Sequence, residues 1–286
     1  MIINLKNGDT TMAISTLGAE PQSVLFEGRE YSWNGDKEFW PRRAPLLFPT
    51  IGPTKDNKIR AKGQYYDMPG NGFARDVEFI FAGQTENTAT FVLEDTEEFR
   101  SKYYPFGFRL TVTYTLLPNG YEASAEIYAK EDLYYTFGWH PAFSLDINGK
   151  GTPLDSYTVN FEEEEHLDKK TAVKGVFEYT KDFLVGDSID LSRKVLDHGA
   201  IVLDGIKSSE VTLTSSLGEH GVTATIGDMK TLTIWTKENK HAQYCCIEPM
   251  LSFGDTTRNE DIEKMKESSF LKKEESVTYT NTFTFF

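Results

Sequence analysis

The chain has two cysteines in 286 residues, and they are neighbours, Cys245 and Cys246. Consecutive residues of an extended strand point to opposite faces, so a bond between these two would be strained. No disulfide framework or cysteine-based zinc spacing can be written, which fits a reducing compartment. Long apolar runs are also missing. Stretches such as Ala44–Phe48 fall far short of the roughly 20 residues that cross a bilayer as a helix. The opening MIINLKNGDTTMAIS has no basic segment followed by an apolar one, so no signal peptide is read and the expected location is the cytoplasm. Basic charge is in deficit, with 30 Lys and Arg against 44 Asp and Glu and a net charge of −14. A field of that sign disfavours nucleic acid and membrane partners. It still allows a small anionic ligand held by a local arginine cluster.

Helical signals are as sparse as cysteine. Asp95 is a possible N-cap with Glu98 three residues on, and Asn259 to Ser268 is a second short candidate. What the chain has in abundance is short runs of β-branched and aromatic residues, at 89–95, 108–117, 121–130, 210–215 and 276–286. Leu110, Val112 and Tyr114 alternate with Thr111, Thr113 and Thr115, the period of a strand with one buried face. Pro118-Asn119-Gly120 between two such runs is a hairpin signal. No repeat and no Gly/Ser- or Pro-rich linker divides residues 1–286, so one all-β domain is expected, a large antiparallel β-sandwich. The acidic run Glu162 to Glu165 reads as a solvated loop or strand edge.

Five histidines are few enough to weigh singly. His166, His198, His220 and His241 lie in polar, turn-like surroundings and are expected mostly at the surface. His140 interrupts the aromatic run YYTFGWHPAFSL, and is either a satisfied core residue or one that faces a cleft. Glu248, in HAQYCCIEPML, ends an otherwise apolar strand. Period-two alternation puts it on one face with Tyr244 and Cys246, and Pro249 ends the strand. It either turns to water or is a carboxylate with a raised pKa and a function. In NGFARDVEF (71–79), Gly72 and Ala74 permit close backbone approach, and Arg75 with Asp76 is a surface pair or a site pair. EFWPRRAPLLFPTIGP (38–53) is an ordered irregular loop in which Arg42 and Arg43 can bind an anion or a sugar hydroxyl. No metal-ligand spacing and no Gly-rich phosphate loop is found, so neither a metal nor a nucleotide is expected to be required.

These segments occur in an order that resembles the aldose 1-epimerase (galactose mutarotase) family, in particular its divergent mutarotase-related bacterial branch. The likeness runs nearly end to end: STLGAEPQSV (15–24), YSWNGDKEFWPRRAPLLFPTIG (31–52), NGFARDVEF, YYPFGFRLTVTYTL (103–116), GWHPAF (138–143) and CCIEP (245–249). The resemblance implies a β-sandwich with an open cleft and no cofactor, Glu248 as general base and His140 as general acid. A nearby carboxylate would raise the histidine pKa. Asp197 is the best match to an aspartate that holds a sugar hydroxyl. Trp139 or Trp40 would offer an apolar face to the pyranose, and Arg42, Arg43 or Arg75 would bind hydroxyls or a phosphate at C6.

Two positions depart from the family pattern. Asn71 stands where the family turn begins with histidine, and Pro53 follows Gly52 where an arginine is usual. The implied function is interconversion of the α and β anomers of a hexose or hexose phosphate. A non-catalytic sugar-binding or sensing protein of the same fold is the alternative. A glycosidase would need two carboxylates flanking the bond, and only one is supported here.

Overall fold

In the Phe108–Leu117 strand every second residue is buried, the apolar set inward and the threonines outward. A computed structural model of the chain describes residues 1–145, 152–173, 176–254 and 260–286. The Phe108–Leu117 strand turns at the predicted hairpin, Leu117 opposite Gly120, into Gly120–Ala129. On its other side it pairs with Thr88–Glu94.

These strands belong to one 15-stranded sheet. From one edge it runs Leu46–Leu47, Gly138–Trp139, Tyr244–Met250, Thr231–Trp235 and Ile201–Asp204. Tyr157–Val173, Glu210–Ser215, Gly218–Thr225 and Ser276–Phe285 follow. Gly120–Ala129, Phe108–Leu117, Thr88–Glu94 and Ile80–Gln84 end this path, while Ala142–Ser144 pairs with Tyr244–Met250 and Val176–Asp190 with Tyr157–Val173 beside it. A four-stranded sheet, Ile2–Asn7, Thr10–Ser15, Pro21–Phe26 and Arg29–Glu30, is the second large element. Pairing within both is antiparallel. One apolar cluster runs from Ile3 to Phe285. The protein is an all-β, antiparallel β-sandwich, as its alternating runs led one to expect. Among the described residues no helix is long and apolar enough to cross a membrane.

Local readings fare less evenly. The helix after residue 95 spans Glu97–Lys102, and its cap is Thr96, whose side chain accepts from the Phe99 amide. Asp95 instead accepts from the Phe108 amide and pairs with Arg100 and Lys130. The second expected helix is a single 3-10 turn, Ile262–Lys264, with Asn259 outside the described residues. Glu165 is buried rather than solvated. The ladder between Tyr157–Val173 and Val176–Asp190 shifts register between Asn160 and Glu165. There the carboxylate accepts from the Lys207 and Ser208 amides and the Ser208 hydroxyl. His220 is also buried, against the Tyr157 hydroxyl at 2.8 Å.

Candidate functional site

Strand register brings His140 to Glu248. The Tyr244–Met250 strand is buried along its whole length. On one side Gly138 faces Met250, and Ala142 faces Cys246. Continuing that register across Pro141 sets His140 opposite Glu248. The proline interrupts the ladder, and its carbonyl accepts from the Ile247 amide at 3.3 Å. His140 Nδ1 lies 3.4 Å from Glu248 Oε1, and both side chains are more than nine-tenths buried. The geometry is close contact, since Nδ1 has no hydrogen-bond partner. On the strand's other side Thr233 faces Glu248.

Burial decides the charge state of this pair. It pushes the Glu248 carboxyl well above the ordinary carboxylate range. It also lowers His140 to about 3, with help from the positive charges of Arg75 and Arg42. The expectation that a neighbouring carboxylate raises the histidine is therefore corrected. A buried carboxyl that keeps its proton is no anion, and desolvation plus arginine prevail. Both directions describe one state, in which Glu248 keeps its proton and His140 is uncharged.

The pair lines a cleft of about 410 Å³. Trp40 stacks on the His140 ring, centroids 4.9 Å apart, and Trp235 meets it edge-on at 5.7 Å. Leu47, Ile51 and Phe253 add apolar wall; Asn71, Arg75 and Lys237 supply polar groups. The turn that presents Asn71 and Arg75 is held tightly. Asn71 has a φ of 64°, a conformation asparagine tolerates better than most residues. Its Oδ1 accepts from the Gly52 amide at 2.7 Å, and its own amide donates to the Gly52 carbonyl. Gly72 follows with φ +74°, and a Cβ there would lie 2.1 Å from the Phe48 carbonyl oxygen. Arg75 donates to the Gly70 carbonyl, and burial beside Arg42 lowers it to about 10. It remains a cation at neutral pH.

Other residues singled out from the sequence lie elsewhere. Trp139 is buried in the core and donates to Asn281 Oδ1 at 3.0 Å. As the strand neighbour of His140 it points to the opposite face, so it cannot share the cleft. Arg42 lies behind Arg75, paired with Asp76 at 2.6 Å and donating to the Arg75 carbonyl. Arg43 braces a loop corner through Gln22 Oε1 and the Asn34 carbonyl, packed over Gly35. Asp197 ends the short Arg193–Leu196 helix, where it accepts from the Asn239 amide and pairs with Arg193. It is not among the residues lining the cleft.

Trp235, Thr233 and Lys237 do line it, and sequence reading passed over them. The run TLTIW (231–235) carried a signal, because the alternation that exposes Thr233 to the cleft carries Trp235 with it. Cys246 was recognised only as a face-mate of Glu248. Its Sγ joins His140 and Glu248 in a trio whose potential ligand atoms all lie within 4.8 Å of one another. No spacing rule could show this, because the histidine comes from a distant segment.

Comparison with known proteins agrees with this architecture. The family model described as aldose 1-epimerase matches residues 1–280. The chromosomal LacX protein of Lactococcus lactis subsp. lactis is 30% identical over 267 residues, 87% of each chain. A galactose mutarotase-like protein from Lactobacillus casei superposes with a TM-score of 0.91 at 27% identity, covering 100% of both chains. A galactose mutarotase related enzyme from Lactobacillus acidophilus gives 0.91 at 26%, covering 100% of this chain and 97% of that one. A match over nearly the whole length, joined to the same fold, leaves one assignment: the chain belongs to the aldose 1-epimerase family.

Proposed function

We propose that the protein is a mutarotase that interconverts the α and β anomers of a hexose or hexose phosphate through His140 and Glu248. The observation that carries this reading is the buried His140–Glu248 contact, 3.4 Å apart, in the wall of an aromatic-lined cleft. Ring opening requires one proton to leave the C1 hydroxyl and one to reach the ring oxygen O5. A pair that holds one proton and can accept another in exchange meets both demands. Transfer from Glu248 to His140 gives a carboxylate and an imidazolium. Glu248 then takes the C1 proton while His140 protonates O5. The C1–O5 bond breaks, the carbonyl rotates, and closure on its other face runs the transfers backward. Each positioned group contributes on the order of 10²–10⁴-fold.

Around the pair, Trp40 offers a flat apolar face for the pyranose ring. Arg75 and Lys237 are the cations available to a hydroxyl or a phosphate, and Asn71 can offer its amide NH₂. Arg42 acts through its contact with the Arg75 carbonyl. Arg43, Trp139 and Asp197 support the scaffold and have no part in sugar binding.

The test is anomer exchange by NMR across a panel of aldoses and aldose phosphates. Wild type is expected to exchange at least one sugar above the spontaneous rate, and Glu248→Gln to return it to background. A non-catalytic sugar-binding protein is the second reading, favoured by the commitment of Asn71 Oδ1 to the Gly52 amide. Saturable binding without exchange in wild type would establish that alternative. Full activity in Glu248→Gln would show that the base is another residue.

A further inference from the structure

Cys246 has no part in the sugar chemistry, yet it lies beside the two groups that do. It is fully buried beneath Trp40, Trp235 and Tyr244, on the Glu248 face of its strand. Its Sγ, a His140 ring nitrogen and a Glu248 carboxylate oxygen lie within 4.8 Å of one another, and His140 Nδ1 is 3.4 Å from Glu248 Oε1. His140 Nδ1 is buried and has no hydrogen-bond partner. One nitrogen, one sulfur and one oxygen ligand form a borderline-soft donor set, the kind that selects zinc over magnesium or calcium.

A tetrahedral zinc site with bonds of about 2.0–2.3 Å has ligand–ligand edges of roughly 3.3–3.7 Å. From a separation of no more than 4.8 Å, the thiol therefore has to close by about 1.5 Å at most. Neutral imidazole, carboxylate and thiolate together carry two negative charges, which a divalent cation cancels. Burial of the loaded site therefore leaves no net charge uncompensated. His140 and Glu248 both line the cleft, so an incoming ion meets them first and a fourth ligand can come from that side.

We propose that His140, Cys246 and Glu248 form a binding site for a zinc-class divalent cation, and that the cation and the sugar exclude each other. Binding displaces the thiol proton and any proton on the carboxyl to solvent and forms bonds to Sγ, a His140 ring nitrogen and a carboxylate oxygen. A histidine and a glutamate so engaged cannot relay protons. The metal is thus an inhibitor that the active protein must be free of. Exclusion of the sugar rests on the mutarotase reading above; cation binding does not.

The experiment is an optical titration of the full chain with Co²⁺, followed by Zn²⁺. One Co²⁺ per chain is expected to produce visible d–d absorption and a near-ultraviolet sulfur-to-cobalt charge-transfer band. Zn²⁺ is expected to abolish both, because it binds such sites more tightly than cobalt. The charge-transfer band should vanish in Cys246→Ser and in Cys246→Ala, each checked for native circular dichroism. It should survive in Cys245→Ser, whose side chain belongs to the main core. Anomer exchange measured in parallel should fall when Zn²⁺ is added and return with chelator.

Absence of the band in wild type would overturn the site, as would its persistence in both folded Cys246 variants. Exchange unaffected by bound Zn²⁺ would overturn the exclusion. A band without exchange in metal-free protein would leave the site standing and remove the mutarotase reading. Exchange without a band would do the reverse.

Discussion

Glu248 is held uncharged by the fold, and that has a cost that depends on pH. Its folded pKa is raised above the ordinary 4.5. The stability of the neutral form is fully present below 4.5 and is lost as pH rises toward the folded pKa, because the unfolded chain ionises first. His140 has the opposite sign. Its folded value of about 3 lies below the ordinary 6.5, so its contribution is present above 6.5 and lost as pH falls toward 3. Glu248→Gln removes the first effect and leaves the second. The variant is expected to be more stable than wild type at neutral pH, with the gap shrinking to nothing near pH 4. Urea midpoints at several pH values measure this, and a constant gap would show that Glu248 ionises freely in the fold. The same pair sets the rate profile. A second proton reaches it only near the His140 value, so kcat should stay flat from neutral pH down to about pH 5. An ordinary histidine acid–base would show a break near 6.5.

At this scale the sequence exposed residues whose local context was anomalous: a histidine among aromatics, a glutamate ending an apolar strand. Trp235 reaches the cleft because its strand pairs with the strand of Glu248, and nothing in the sequence marked Lys237, which lies just beyond the end of the Thr231–Trp235 strand. The sequence also offered both Trp139 and Trp40 as ring platforms. The choice between them follows from alternation about His140, once that residue is known to face the cleft.

At the scale of elements, the cleft wall depends on how the Asn71–Asp76 turn meets the loop after Phe48. Phe48 and Gly72 form an isolated bridge, and the Ala74 amide donates to the Phe48 carbonyl. A methyl group at Gly72 would collide with that carbonyl in a backbone conformation that L-residues avoid. Gly72→Ala is therefore expected to lose on the order of 3 kcal/mol or more. The loss should appear as a lower urea midpoint with an unchanged slope. A loss under about 1 kcal/mol would mean that the loop can withdraw.

The strand elements were readable because each repeats one short pattern. The first helix lies where its amphipathic stretch put it, but its cap is Thr96 rather than Asp95, because the Phe108 amide claims the Asp95 carboxylate. Glu165 was misread for a related reason. A register shift moves one residue of an acidic run inward, and composition does not mark which one.

Across the whole molecule, a charge of −14 surrounds a cleft whose cations are Arg75 and Lys237. Screening limits the repulsion to about 10 Å at 0.1 M salt, while a phosphate at the cleft would meet the cations directly. A hexose 6-phosphate is expected to bind about tenfold or more tightly than the hexose, from one charge-assisted hydrogen bond of about 1.5–3 kcal/mol. Lys237→Ala is the cleaner probe, because Arg75 also holds the Gly70 carbonyl. Competition titrations in which the two sugars bind equally, before and after the substitution, would exclude a phosphate subsite.

The Ser276–Phe285 strand lies inside the large sheet, between Gly218–Thr225 and Gly120–Ala129. Its neighbours are synthesised long before it. At roughly 5–20 residues per second, the ribosome delivers the Gly120–Ala129 strand several seconds to half a minute earlier. From the moment Gly218–Thr225 is also made, the nascent chain carries two unpaired strand edges, the kind of surface on which chains aggregate. The sheet can close only when the last strand emerges. A message cut short between the codons for Gly218–Thr225 and those for Ser276–Phe285 would therefore yield a chain with most of the core sequence and a permanently open seam, a substrate for chaperones and proteases.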